Sequence, residues 1–370
     1  MTAGALRGIG VRAATPALAA ALLFGASTPL AKLLVGSTPP LLLAGLLYLG
    51  SGLGLGLLLA VRAARGRTAA GAMRIPLAEV PWLAGAILFG GVLGPALLML
   101  GLTQVGGAAA SLLLNVEGVL TALIAWVVFK ENADRRIVAG MVAIVAGGAL
   151  LSWEPGGTTL SPGALIIAGA CLCWAIDNNL TRKVSTNDAM LVACLKGAFA
   201  GACNTGLALS TGSELPGTGA VASSLLVGFL GYGLSLTLFV VGLRTLGTAR
   251  TGAYFSVAPL FGVLISFALW PEAPGPLFWA AAALMGLGVW LHVSERHEHE
   301  HTHEPLVHAH RHRHDEHHQH QHDFPWDGTE PHVYPHRHQA LTHGHPHFPD
   351  IHHRHGHTPP AEPAAQERGK

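Results

Sequence analysis

Charge is scarce in this sequence. Asp, Glu, Lys and Arg together make up 12% of its 370 residues, where a soluble domain carries roughly 25%. A surface in water needs charge to cover it, so a chain this poor in charge faces lipid. Net charge is only +1, so there is no basic footprint for nucleic acid. There are four cysteines, Cys171, Cys173, Cys194 and Cys203. All fall in apolar runs, which reads as core thiols and not as disulfides or a zinc site. No Gly-x-x-x-x-Gly-Lys-Ser/Thr occurs, so energy from an ion gradient is expected in place of nucleotide hydrolysis. The apolar runs hold no nucleophile–base set, and the chain is not expected to be an enzyme. Histidine is missing from almost the whole first part: His292 is the one imidazole before Ser294, and 22 follow it.

What is present divides the chain in two. Residues 1–294 carry 15 Lys+Arg and 9 Asp+Glu, and residues 295–370 carry 7 and 12. The first part is a hydrophobic body rich in glycine, with 47 glycines in the whole chain. Small residues let membrane helices approach closely.

A membrane-spanning helix needs about 20 predominantly apolar residues. Candidate spans fall near 16–35, 39–61, 80–101, 106–129, 136–153, 163–182, 189–209, 221–242, 248–270 and 275–293. Turn chemistry separates them, as at Ser37-Thr38-Pro39-Pro40 and Glu154-Pro155-Gly156-Gly157. Arg7 and Arg12 before the first run mimic a signal peptide, but the run is too long for one and reads as the first span.

Cations alternate between loops. Arg62, Arg65, Arg67 and Arg74 follow span two; Lys130, Arg135 and Arg136 follow span four. Arg182 and Lys183 follow span six, and Arg244 and Arg250 follow span eight. The intervening loops lack them, apart from Lys32 at an edge. Lys and Arg mark cytoplasmic loops, so both termini are expected in the cytoplasm, with the protein in the cell inner membrane.

The body also repeats itself. Sliding Glu131 onto Glu272 matches Gly90 with Gly231, Gly101-Leu102 with Gly242-Leu243, Gly106 with Gly247, Val116 with Val257 and Gly147 with Gly288. Five spans per repeat make the second copy enter the bilayer from the opposite side. The expected architecture is all-α and polytopic, with ten transmembrane helices in two inverted five-helix repeats, residues 1–153 and 154–294. Inverted repeats are a transporter architecture, with the solute site near the bilayer midplane.

The run from Ala108 to Glu131, in which small residues lead into an apolar stretch closing on a glutamate, resembles the EamA-type repeat of the drug/metabolite transporter superfamily. A second copy runs from Ala249 to Glu272, with Pro259 where the first has Gly118. Phe24-Gly25-Ala26-Ser27 and Trp174-Ala175-Ile176-Asp177 are similar to the openings of the two repeats. The resemblance covers roughly 16–293 and implies a carrier of small solutes, without naming the solute.

Ionisable groups at membrane depth cost about 2.5–3.5 kcal/mol each on insertion scales and so mark candidate sites. Glu117 lies near the middle of span four and is the candidate for coupling proton entry to solute exit. Asp177 and Lys196 each lie about six residues from the same end of neighbouring antiparallel spans, which predicts an ion pair. Asn115, Asn178 and Asn179 are candidate cavity-lining amides. Glu131 and Glu272 close their spans and read as interfacial. Gly52-x-x-x-Gly56 and Gly197-x-x-x-Gly201 predict tight helix contacts.

Residues 295–370 form a histidine-rich tail expected to be cytoplasmic and disordered, because it lacks an apolar period and is studded with proline. His297, His299, His301, His303, His308, His310, His312, His314, His317, His318, His320 and His322 are candidate ligands for zinc, nickel, cobalt or copper. His297-Glu298-x-x-His301 matches the zincin pattern by accident of composition, since that chemistry needs a rigid helix over a cleft.

The expected function is a secondary transporter exporting a small metabolite or drug in exchange for protons, with no required cofactor. A divalent-metal carrier, and a membrane-anchored metal buffer or sensor that transports nothing, are the alternatives. Expected partners are the lipid bilayer, a small-molecule substrate, divalent metal at the tail, and a second copy of the chain in a homodimer.

Overall fold

The computed structural model describes residues 3–66, 74–129, 135–153, 160–184, 187–246, 251, 254–271 and 273–293 of the body, and 298–303, 307–312, 332–337 and 341–346 of the tail. The described body is helical. In order the helices are α1 (Ala3–Val35), α2 (Pro40–Ala64), α3 (Val80–Ala86), α4 (Gly94–Gln104), α5 (Gly107–Leu113), α6 (Asn115–Phe129) and α7 (Arg135–Ser152). They continue as α8 (Pro162–Thr181), α9 (Ala189–Ser210), α10 (Thr218–Gly228), α11 (Ser235–Leu246), α12 (Ala258–Leu269) and α13 (Pro276–Val293).

Eight stretches are long and apolar enough to cross a membrane, and two shorter apolar helices, Ala258–Leu269 and Pro276–Leu291, follow them. Large apolar side chains such as Leu57, Val127, Val128 and Leu264 stay more than 60% exposed. Apolar surface on this scale suits lipid and not water. The protein is therefore a polytopic helical membrane protein. All ten expected segments contain helix, but the ninth is shorter than expected, because a turn at Ser256–Val257 interrupts it just before Pro259.

The sequence dictates where helices start and stop. Pro40 sits in the first turn of α2, where its missing N–H costs nothing. Gly66 and Gly212 take φ of 65° and 87° just after α2 and α9, a region a Cβ disfavours. The Asp188 side chain caps α9 by accepting from the N–H groups of Met190 and Leu191.

The third helix of the body contains a π-helical segment, Ile87–Leu93, between α3 and α4. Pro95 explains why its backbone needs help: with no N–H, it leaves Gly91 O without a donor in α register and Gly90 O without one in π register. Side chains supply the missing donors. Tyr48 Oη and Trp174 Nε1 donate to Gly90 O at 2.8 and 2.9 Å. Asn204 Nδ2 donates to Gly91 O and Val92 O at 3.3 and 3.2 Å. A second π-helical segment, Phe229–Leu234, occupies the matching position of the second repeat. Asn204 is fully buried, so Asn204→Ala is expected to lower stability by about 1–2 kcal/mol, read as a drop in the unfolding midpoint in detergent.

Packing follows an exchange rule. α1 packs on α11 and α12, and α8 packs on α4 and α6. α2 packs on α9, and α7 packs on α13. Swapping the two halves maps these pairings onto themselves. Glycine makes the α2–α9 contact possible. A Cβ at Gly52 would strike the backbone of Gly197 and Ala198, and one at Gly201 would strike Leu49. The expected tight contacts therefore form at Gly52, Gly197 and Gly201, whereas Gly56 has only ordinary van der Waals room, 3.6 Å from Cys194 Sγ. All four cysteines are free, and only Cys171 is fully buried; Cys203 is exposed, contrary to the expectation of a core thiol.

Two short antiparallel strand pairs are described in the tail. Strands β1 (Glu298–His303) and β4 (Leu341–Pro346) pair antiparallel, as do β2 (Val307–His312) and β3 (His332–Arg337). The register sets His299 opposite His345, His301 opposite His343, and His308 opposite His336. The physical reason is the His-x-His alternation, whose period of two is the period of a strand. Of the candidate metal ligands, His299, His301, His303, His308, His310 and His312 lie on β1 and β2. His297, His314, His317, His318, His320 and His322 lie outside the described residues, as do Glu131 and Glu272.

Candidate transport site

The fourth helix of each half is broken at the same point of the repeat. In the first half α5 stops at Leu113 and α6 starts at Asn115. Asn115 Nδ2 donates back to Leu112 O at 2.9 Å, and the Glu117 N–H reaches Leu114 O at 3.1 Å, a tightened turn. In the second half the Ser256–Val257 turn precedes α12, where Leu260 N–H finds Val257 O at 3.0 Å.

Both breaks face a cavity of about 230 Å³. Asn115, Glu117 and Gly118 line it from the first half; Phe255, Ser256, Ala258 and Pro259 line it from the second. α1 adds Phe24, Gly25 and Thr28, and Ser111 adds a hydroxyl. The wall is therefore mostly apolar with a few convergent polar groups, the usual make-up of a small-molecule site. Glu117 is its carboxylate. Asn178 Nδ2 donates to Glu117 Oε1 at 2.9 Å and to Thr121 Oγ1 at 3.2 Å, tying α8 to α6 at the exposed edge.

The expected ion pair is present. Lys196 Nζ lies 2.7 and 2.6 Å from the two oxygens of Asp177, and Thr181 Oγ1 donates to Asp177 Oδ1 at 2.8 Å. The carboxylate rests on Gly90, where a Cβ would overlap it. Asn179 is turned away from the cavity: it is buried and donates to Ala175 O at 2.8 Å and Thr121 O at 3.4 Å, so it joins helices.

An aromatic string was not anticipated from the sequence. Tyr48 stacks near Tyr232 at 5.4 Å, Phe24 meets Tyr232 edge-on at 6.2 Å, and Phe255 touches Phe24 at 5.4 Å and Phe239 at 4.8 Å. Because Tyr48 also bonds Gly90 O, the string runs from beside the ion pair to the cavity wall. A tyrosine in mid-span, whose hydroxyl must find a partner, was the available signal.

The model of the EamA-like transporter family matches residues 12–153 and again 161–294. The chain belongs to the EamA-like transporter family. An uncharacterized transporter of Methanothermobacter thermautotrophicus is 26% identical over 269 residues, covering 69% of this chain and 78% of that protein. The uncharacterized transporter YyaM of Bacillus subtilis is 24% identical over 186 residues, covering 47% and 60%. ArnE of Pseudomonas paraeruginosa, described as a probable 4-amino-4-deoxy-L-arabinose-phosphoundecaprenol flippase subunit, is 48% identical over 71 residues, covering 19% and 59%. A solved crystal structure 22% identical to this EamA-like chain superposes with a TM-score of 0.56, covering 76% of this chain and 96% of the other, which shows a shared fold.

Proposed function

We propose that this EamA-like transporter exports a small metabolite or drug across the inner membrane in exchange for protons, through the cavity between the two broken helices. The cavity carries this reading: it is lined by both halves, and Glu117 is its carboxylate. Broken helices meeting at mid-membrane are where carriers bind solutes. The exchange pattern of helix contacts supports ten spans in two inverted five-helix repeats, and the alternating loop cations support cytoplasmic termini. The description of the Pseudomonas relative as a flippase subunit supports movement of a solute across the membrane. Glutamine at position 117 mimics the protonated carboxyl and has no proton to release. In inside-out vesicles or proteoliposomes carrying a pH gradient, Glu117→Gln is expected to abolish gradient-driven accumulation of a transported solute while leaving solute–solute counterflow. Unchanged gradient-driven accumulation in the variant overturns the proton role.

The histidine tail favours a second reading, in which the cargo or a regulator is a divalent metal. Imidazoles at this density suit zinc, nickel, cobalt or copper. The same vesicles, loaded with metals or with organic solutes and compared with and without residues 295–370, separate the readings. Metal movement that depends on Glu117 selects the metal carrier; metal binding without movement of any solute selects a buffer or sensor.

A further inference from the structure

A second concavity lies where the end of α2 meets the start of α9, and it shares none of the transport cavity's lining. It has a volume of about 300 Å³ and is lined by Leu58, Val61, Arg62, Arg65 and Met190. Its chemistry is split. Leu58 and Val61 are 37% and 38% exposed on the outer face of α2, and Leu57 beside them is 66% exposed. One turn further on come the two arginines at the end of the same helix.

The charges have been sorted so that one cation is left over. Arg62 Nη1 pairs with Asp188 Oδ2 at 3.1 Å, and Asp188 Oδ1 accepts from the N–H groups of Met190 and Leu191. Both oxygens of that carboxylate are thus engaged, and its charge is offset by Arg62. Arg65 is exposed, and among the described residues its guanidinium has no protein partner. The backbone of Arg65 is fixed by the chain: its N–H closes the last turn of α2 on Val61 O at 3.1 Å, and Gly66 follows with φ of 65°.

We infer that this concavity holds the phosphodiester headgroup of an anionic phospholipid, with Arg65 as the principal contact and an acyl chain along Leu58, Val61 and Met190. Three features converge on that ligand. The guanidinium fork matches a phosphate. The apolar strip is continuous with the headgroup position and opens on the lipid-facing side of α2. The place is the end of a membrane-spanning helix, where headgroups lie and where basic pockets between helices take anionic lipids. A free phosphate ion satisfies the arginine but has no use for the apolar strip, and a zwitterionic lipid brings its own cation to compete with Arg65. Because the pocket straddles the α2–α9 contact, its occupant bridges helices of the two halves.

The test is native mass spectrometry of the full-length detergent-purified protein with phosphatidylglycerol, phosphatidylcholine or inorganic phosphate. The wild type is expected to retain phosphatidylglycerol in preference to phosphatidylcholine and to show no competition from phosphate. Arg65→Gln is expected to weaken phosphatidylglycerol retention about fivefold, as for one interfacial cation. Arg65→Lys is expected to restore part of it. Leu58→Glu, which puts a carboxylate in the strip and leaves the arginines alone, is expected to weaken it as well. Retention of phosphatidylglycerol by either Arg65→Gln or Leu58→Glu at the wild-type level overturns the inference, and so does displacement by inorganic phosphate.

Discussion

Replacing Lys196 with methionine is expected to destabilise the protein by about 3–5 kcal/mol, since it strands a buried carboxylate without its cation. Asp177 and Lys196 expose only 8% and 17% of their side chains, so little water is at hand to compensate. Gly90 lies directly beneath Asp177, so the carboxylate cannot retreat toward the π-helical segment. Among the described residues its other hydrogen-bond partner is Thr181, which carries no charge. The second half of the expectation concerns the double variant. Removing both charges as Asp177→Asn with Lys196→Met is expected to recover most of the loss, because a neutral pair of similar volume has no desolvation penalty to offset. Thermal unfolding of the detergent-purified single and double variants, arranged as a cycle, reads the coupling directly. Additive losses in the double variant mean the two groups do not act as a pair. Exchanging the two residues, Asp177→Lys with Lys196→Asp, asks the same question of transport: recovery of activity lost in the singles is the expected outcome.

The next largest effect is expected at Gly52. Gly52→Leu forces a side chain into the backbone of Gly197 and Ala198, where no rotamer change can make room. Overpacking a tight contact costs about 1–3 kcal/mol even where side chains can yield, and here the two helices must separate instead. Gly52→Leu is expected at or above the top of that range, with loss of monodisperse protein on size exclusion. Gly56→Ala is the control. Its Cβ would sit 3.6 Å from Cys194 Sγ, an ordinary contact, so a change within about 0.5 kcal/mol is expected. Equal effects at the two glycines would show that glycine content, and not the α2–α9 contact, governs stability.

Much of this is legible in the amino-acid sequence. Asp177 and Lys196 can be paired because charge is so rare in the body: two opposite groups buried at equal depth each need a counter-ion, and each is the other's nearest candidate. The Gly52 and Gly197 spacings are legible for a similar reason: glycine at every fourth position of a span marks one face. Apolar length and loop cations locate the helices to within a few residues. The π-helical segments are not legible, because an i→i+5 turn leaves no hydrophobic period behind it. Gly90, Gly91 and Pro95 are visible as letters, but not the side chains that serve their carbonyls. Asn204, buried among apolar residues, is tied to Gly91 and Val92 from far along the chain, and nothing local announces such a tie. The aromatic string depends on four helices converging, which spacing along one helix cannot reveal. In the tail the histidines themselves carry a period of two, which is the period of the described strands. Pro335 does not stop β3, because a strand paired on one side only can accommodate proline on its open side.

The two halves resemble each other in outline but not in how they are fastened. Where Asp177 presses on Gly90, the matching residue of the first repeat is Ser27, which presses on Gly231. Ser27 spends its hydroxyl on Phe24 O at 2.6 Å, within its own helix. One crossing is thus clamped by full charges to a third helix, and its twin is held by uncharged groups. The carrier cycle proposed above exchanges the roles of the two halves, and such unequal latches give its two poses unequal energies.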